Sequence, residues 1–94
     1  MGLKGARLSQ AHIQYGSTLR NLGRTREAID VLQATVPHPS IGDAGTVFLA
    51  LALRDAGRTD EALLRTIEAL IPHLPQYRKS ATDYVRALRS ASTA

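Results

Sequence analysis

A chain of 94 residues, 44% hydrophobic and 21% charged, makes one small domain with a modest core and is too apolar to stay disordered. With no cysteine it excludes disulfides, thiolate metal sites and thiol nucleophiles. Twelve Lys and Arg against eight Asp and Glu give a net charge of +4 and a pI near 10.1, which permits weak attraction to polyanions or acidic peptides.

Along the chain, Leu8, His12, Tyr15, Leu19 and Leu22 fall at alternating steps of four and three, which predicts an amphipathic helix over 8–22 with that stripe buried. Gly23 can take the left-handed conformation that ends it. Thr25 is placed to cap a second helix over 25–36, with Glu27 favoured in its first turn and Ile29, Leu32 and Val36 facing the core. Pro37 and Pro39 stop that helix. A third is predicted over 44–56, ended by Gly57. Thr59 caps a fourth, with Asp60 and Glu61 in its first turn, Leu63, Ile67 and Leu70 on one side, and Pro72 and Pro75 beyond. A last helix spans 75–91. No stretch alternates in polarity, so the fold class is all-α.

The chain repeats itself. LRNLGRTREA at 19–28 returns as LRDAGRTDEA at 53–62, identical at seven of ten positions and displaced by 34. The stripe His12, Tyr15, Leu19, Leu22 maps at 34 onto Thr46, Leu49, Leu53, Ala56, and at a further 35 onto Ala81, Tyr84, Leu88, Ala91. The extra residue lies between Ala62 and Pro72. A helical pair of this length cannot bury its apolar stripe alone, so copies stack and each covers its neighbour. One domain over 1–94 follows: repeat one at about 9–42, repeat two at about 43–76, and a terminal helix at about 76–91.

This pattern resembles the tetratricopeptide repeat, two antiparallel helices in about 34 residues. With Gly23 and Gly57 at the family's inter-helix glycine, Gly16 and Ala50 occupy its small-residue site, Ala28 and Ala62 its alanine site, and Leu19 and Leu53 stand where it usually has tyrosine. His12 and Thr46 replace its early aromatic, and its proline is split between Pro37 and Pro39, and between Pro72 and Pro75. The likeness covers about 9–91 and implies a solenoid of two antiparallel helix pairs plus a C-terminal capping helix.

It also implies a non-enzymatic scaffold whose first helices line a concave groove for a peptide or partner helix. In that register the groove residues are Ile13, Gln14, Ser17 and Arg20, then Val47, Phe48, Leu51 and Arg54, then Ala81, Thr82 and Val85. The family's chaperone carboxylate clamp needs Lys and Asn where this chain has Ile13, Ser17 and Phe48, so that ligand is not expected. Residues 44–56 are apolar nearly all round and call for cover on more than one side, either from the terminal helix over Phe48 and Leu51 or from a second chain. Met1 opens almost directly into the first helix without a cap, which suggests either a fragment of a longer repeat array or a protein that completes itself by pairing. A homo-oligomer, most simply a two-fold dimer, is the expectation.

Other chemistry finds little support. His12, His38 and His73 have no His, Asp or Glu at helical metal spacing, and no nucleophile elbow, phosphate loop or HExxH motif occurs, so no metal, cofactor or catalytic residue is expected. No apolar run nears the roughly 18 residues of a membrane span, and MGLKGARLSQ has no signal-peptide core, so no membrane association and a cytoplasmic location are expected. Met1-Gly2 opens like a myristoylation motif, but Ala6 stands where Ser or Thr is needed. Arg78, Lys79, Arg86 and Arg89 make the last helix basic, and an alternative reading is a module contacting nucleic acid or acidic surfaces. Against it, Asp83 is spaced to pair with Lys79 and Arg86, and no aromatic stacking platform accompanies them. Arg24 and Arg58 are expected to serve the turns, and Arg20 and Arg54 to be free for an acidic partner.

Overall fold

Helix follows helix along residues 2–93, which this computed structural model describes, with side chains described over 5–91. They are α1 (Gly2–Asn21), α2 (Thr25–Gln33), α3 (Ala44–Asp55), α4 (Thr59–Leu70) and α5 (Arg78–Thr93), with a 3-10 turn at Ile71–His73. No strand occurs among the described residues; the expectation placed on Met1 lies outside them.

Gly23 and Gly57 adopt φ of 80° and 79°, the left-handed region that costs a side-chain-bearing residue about 1–2 kcal/mol. Each turn lets α1 fold back on α2, and α3 on α4. The helix that begins after each turn is not capped by its threonine. Arg24 and Arg58 hold the cap positions and no side-chain cap bond forms. Instead Arg24 reaches Glu27 at 2.5 Å and Arg58 reaches Glu61 at 2.6 Å, so the repeated Arg-Thr-x-Glu element anchors the first turn by an i,i+3 ion pair.

The core is built from the repeat. Leu19 and Leu53, 34 apart, are fully buried, and around them cluster Ala28, Ile29, Leu32, Leu49, Ala52 and Ala62. α3 packs on α4 within its own repeat and also on both α1 and α2, so it lies in the groove between the first two helices. Close approach needs small residues: a Cβ on Gly16 would stand 2.5 Å from Leu32 Cγ.

That demand rotates α1 away from the expected face. α1 starts six residues before Leu8, and Leu8, Tyr15 and Leu22 are exposed, whereas Ala6, Ser9, Ile13, Gly16 and Leu19 are buried. Ser9 is accommodated because its hydroxyl donates to the Val36 carbonyl at 2.7 Å. α2 stops at Gln33, short of the prolines, and leaves Val36 exposed. On α4 the buried residues are Ala62 and Leu64, while the predicted Leu63 and Leu70 face outward.

α5 departs furthest from expectation. It begins at Arg78 rather than 75, after a linker in which Tyr77 takes a φ of 71°. Val85 is its buried residue and Tyr84, expected in the core, is 72% exposed. The helix packs on α4 and on the 3-10 turn but does not approach α3. It therefore leaves Phe48 and Leu51 to other neighbours.

Replacing Gly16 by Ala should cost about 1 kcal/mol net, the overpacking of roughly 1–3 kcal/mol exceeding the ~1 kcal/mol gained in helix propensity. Gly5→Ala, where the new methyl would meet His38 Cδ2 at an ordinary 3.6 Å, should instead stabilise by up to about 1 kcal/mol. Thermal unfolding followed by circular dichroism checks both, with shifts of about 5 °C in opposite directions.

Candidate functional site

Of the residues expected to line a groove, Ile13 and Val85 are buried, Phe48 is half-buried against the core cluster, and Ser17 and Arg20 are half-buried. Gln14, Val47, Leu51 and Arg54 are exposed. Because α5 does not approach α3, Ala81, Thr82 and Val85 do not join one continuous surface with Val47 and Leu51. The three first helices thus do not form the single concave wall that the register implies.

A different groove stands open, between α3 and α4. Val47, Ala50, Leu51 and Arg54 of α3 face Thr59, Ala62, Leu63 and Thr66 of α4 across a cleft of about 330 Å³. It runs on into a second, of about 180 Å³, where Val47 meets Thr66, Ala69 and Leu70 beside Asp43 and His73. The lining is apolar apart from its ends. At one end is Arg54, whose side chain is 72% exposed and touches only the neighbouring Asp55, at 3.3 Å. At the other, His73 Nε2 lies 2.9 Å from Asp43 Oδ2, so His73 has a carboxylate neighbour in space that its sequence surroundings do not reveal. No group of three potential metal ligands occurs among the described residues.

Subtracting 34 from these positions gives the face on repeat one. Val47, Ala50, Leu63 and Thr66 correspond to Ile13, Gly16, Ile29 and Leu32, all buried, because α3 lies over them. Leu63 is 53% exposed where Ile29 is 5% exposed. The same surface is covered in the first repeat and bare in the second. Reading motifs singly missed Leu63, Thr66 and Ala69; the signal that finds them is the register itself, once the following helix is known to lie elsewhere.

The electrostatics also differ between the copies. Arg20 donates to Asp55 from Nε at 2.5 Å and from Nη2 at 3.4 Å, so it is occupied rather than free, and it ties the end of α1 to the end of α3. The Arg20 hydrogen bond, with help from Arg54, holds the Asp55 carboxyl below its ordinary value against the opposing effect of partial burial. Arg54 has no such partner on a following helix.

A larger cleft, about 570 Å³, opens between the start of α4 and Arg89 of α5. Most of its charged groups answer one another or near neighbours: Arg58 holds Glu61, and Arg89 bonds Glu68, while Asp60 makes no ion pair among the described residues. The basic helix is likewise largely satisfied within the chain. Arg78 donates to the Leu74 carbonyl at 2.7 Å, Lys79 pairs with Asp83 at 3.0 Å, and Arg86 is exposed without joining Asp83.

A family model for the tetratrico peptide repeat matches residues 1–88. The chain belongs to the tetratricopeptide repeat family. Searches of curated proteins and of solved structures returned no match. Within that match α1–α2 and α3–α4 are two antiparallel helix pairs, and α5 packs on α4 without reaching α3. No helix among the described residues is long and apolar enough to cross a membrane.

Because the folded carboxyl of Asp55 is held low, its contribution to stability is complete above the ordinary aspartate pKa and is lost as pH falls through the lowered folded value. Melting temperatures of wild type and Asp55→Asn should therefore differ most at neutral pH. They should converge as pH falls below the lowered folded value.

Proposed function

We propose that this chain is a non-enzymatic protein-interaction module of the cytoplasm whose docking surface is the open groove between α3 and α4. The observation that carries the reading is the pair of unequal copies. One and the same face is sealed by a helix in repeat one and bare in repeat two: Val47 and Leu63 are exposed where Ile13 and Ile29 are buried, with Leu51 and Leu70 exposed beside them. Contiguous apolar surface rimmed by charge is how association sites present themselves on soluble domains. An amphipathic helix is the segment such a channel fits, reading anchors at i, i+3, i+4 and i+7.

The family is typically non-catalytic, which supports the scaffold reading over an enzymatic one. The basic-module alternative loses ground because Arg78, Lys79 and Arg89 each have a partner within the chain. Self-association into a two-fold dimer is the second reading. What favours it is separate exposed aromatic surface, Tyr77 in the linker before α5 and Tyr84 on α5.

Selection of helix-forming peptides from a displayed library against the full chain tests the docking surface. Enriched peptides should be amphipathic, and Leu63→Asp, at an exposed position that leaves the helices intact by circular dichroism, should weaken their binding by at least about tenfold. Enrichment of extended peptides, or binding indifferent to Leu63→Asp, would contradict the reading. Sedimentation of the wild type at high micromolar concentration tests the dimer separately.

A further inference from the structure

We propose that the groove between α3 and α4 recognises an α-helix of a different polypeptide by two features set ten residues apart: a Gly or Ala that seats against Val47 and Ala69, and an acidic residue that pairs with Arg54. This rests on the groove being the docking surface and goes further, because it states the chemistry of the occupant.

The specification is written in the chain's own interior. α3 fills the corresponding groove of repeat one, and two of its contacts define how it sits. At its start, Gly45 lies over α1 and α2: a methyl there would stand 3.9 Å from both Ile13 Cδ1 and Thr35 Cγ2. That is ordinary van der Waals contact, so Gly or Ala fits and a longer side chain meets the wall. At its end, Asp55 binds Arg20 at 2.5 Å. The two contacts are ten residues apart, about 15 Å of helix.

Moved by 34, Ile13 becomes Val47, Thr35 becomes Ala69 and Arg20 becomes Arg54. All three line the open groove, Val47 and Ala69 together at one end and Arg54 at the other. The receiving side of the contact is therefore present twice and the inserted side once. A guanidinium at the mouth of an apolar channel selects a partner that brings a carboxylate and steers its register.

The chain's own helices do not supply the missing partner. α5, displaced by 35 from α3, has Ser80 in the place of Gly45 but Ser90 in the place of Asp55. It also has a seat of its own. Leu64, 4% exposed, lies on α4 where repeat one carries the exposed Asp30, and Val85 and the Arg89–Glu68 pair hold α5 against that helix. Within the described helices the small-residue and acid spacing of ten occurs only in α3, which is already buried through Leu49, Ala52 and Leu53.

The probe is a labelled synthetic peptide of residues 43–57, with Val47 and Leu51 changed to Lys for solubility, titrated into the full chain by fluorescence anisotropy. The expected result is saturable binding that Leu63→Asp removes. An Asp55→Arg peptide should bind the wild type about tenfold more weakly, as should the parent peptide the Arg54→Glu chain; combining the two changes should restore affinity to within about threefold. Arg54 is exposed, so its substitution leaves the fold intact, which circular dichroism verifies. Affinity indifferent to these charges overturns the proposal. So does failure of this peptide where library-selected helices bind in a Leu63-dependent way, which would leave the docking surface standing and reject only its code. A wild-type dimer that Leu63→Asp dissociates also overturns it, by making a second copy the occupant.

Discussion

The seat of α3 between α1 and α2 is the contact on which the rest of this small structure depends. Neither helix pair has enough apolar surface to bury by itself, and only the lateral stacking of one repeat on the other encloses Leu19, Ile29, Leu32 and Leu49 together. The contact works because small side chains let the helices approach: Gly16 gives room to Leu32, and Gly45 lies over Ile13 and Thr35. It is then fixed in register by Arg20 and Asp55. Burial supplies the energy, and the ion pair at the helix ends supplies the alignment.

Stacking of this kind propagates. A repeat that has received a neighbour on one side presents an equivalent face on the other, and the solenoid ends only where something different covers it. Here α5 turns aside along α4, after the 3-10 turn that contains Pro72 and a linker that contains Pro75 and ends at Tyr77, which takes the left-handed region. A non-glycine residue at that φ costs roughly 1–3 kcal/mol and persists only where its surroundings fix it. The α3–α4 face is consequently left bare, and the proposed docking surface is where an architectural rule is interrupted by one repeat.

Much of this was legible in the sequence. The two decapeptides around Gly23 and Gly57 gave the turns, the period and the equivalence of Leu19 with Leu53 and of Ala28 with Ala62. Less legible was which way α1 faces. Apolar periodicity weights bulk, so Leu8, Tyr15 and Leu22 outscored Ala6, Ser9 and Ile13, yet a helix that must touch two others closely buries its small side. The same bias favoured Leu63 over Leu64 and Tyr84 over Val85. The groove was hidden for another reason: it exists only because α5 lies elsewhere. The change from Asp30 to Leu64 between the copies was its one trace, and that becomes meaningful only once α5 is seen to pack on α4, where Leu64 is buried.

The unequal burial of one repeated position is the most direct point of attack, and the absence of cysteine from the chain makes it accessible to thiol labelling. Leu63→Cys and Ile29→Cys place single thiols 34 residues apart on the two copies of the stacking face. If the second groove is open, the thiol at 63 reacts at nearly the rate of the denatured chain while that at 29 is protected by roughly a hundredfold or more. Equal protection at both positions would mean that the groove is already filled, and would contradict the open stacking face from which its binding role was inferred.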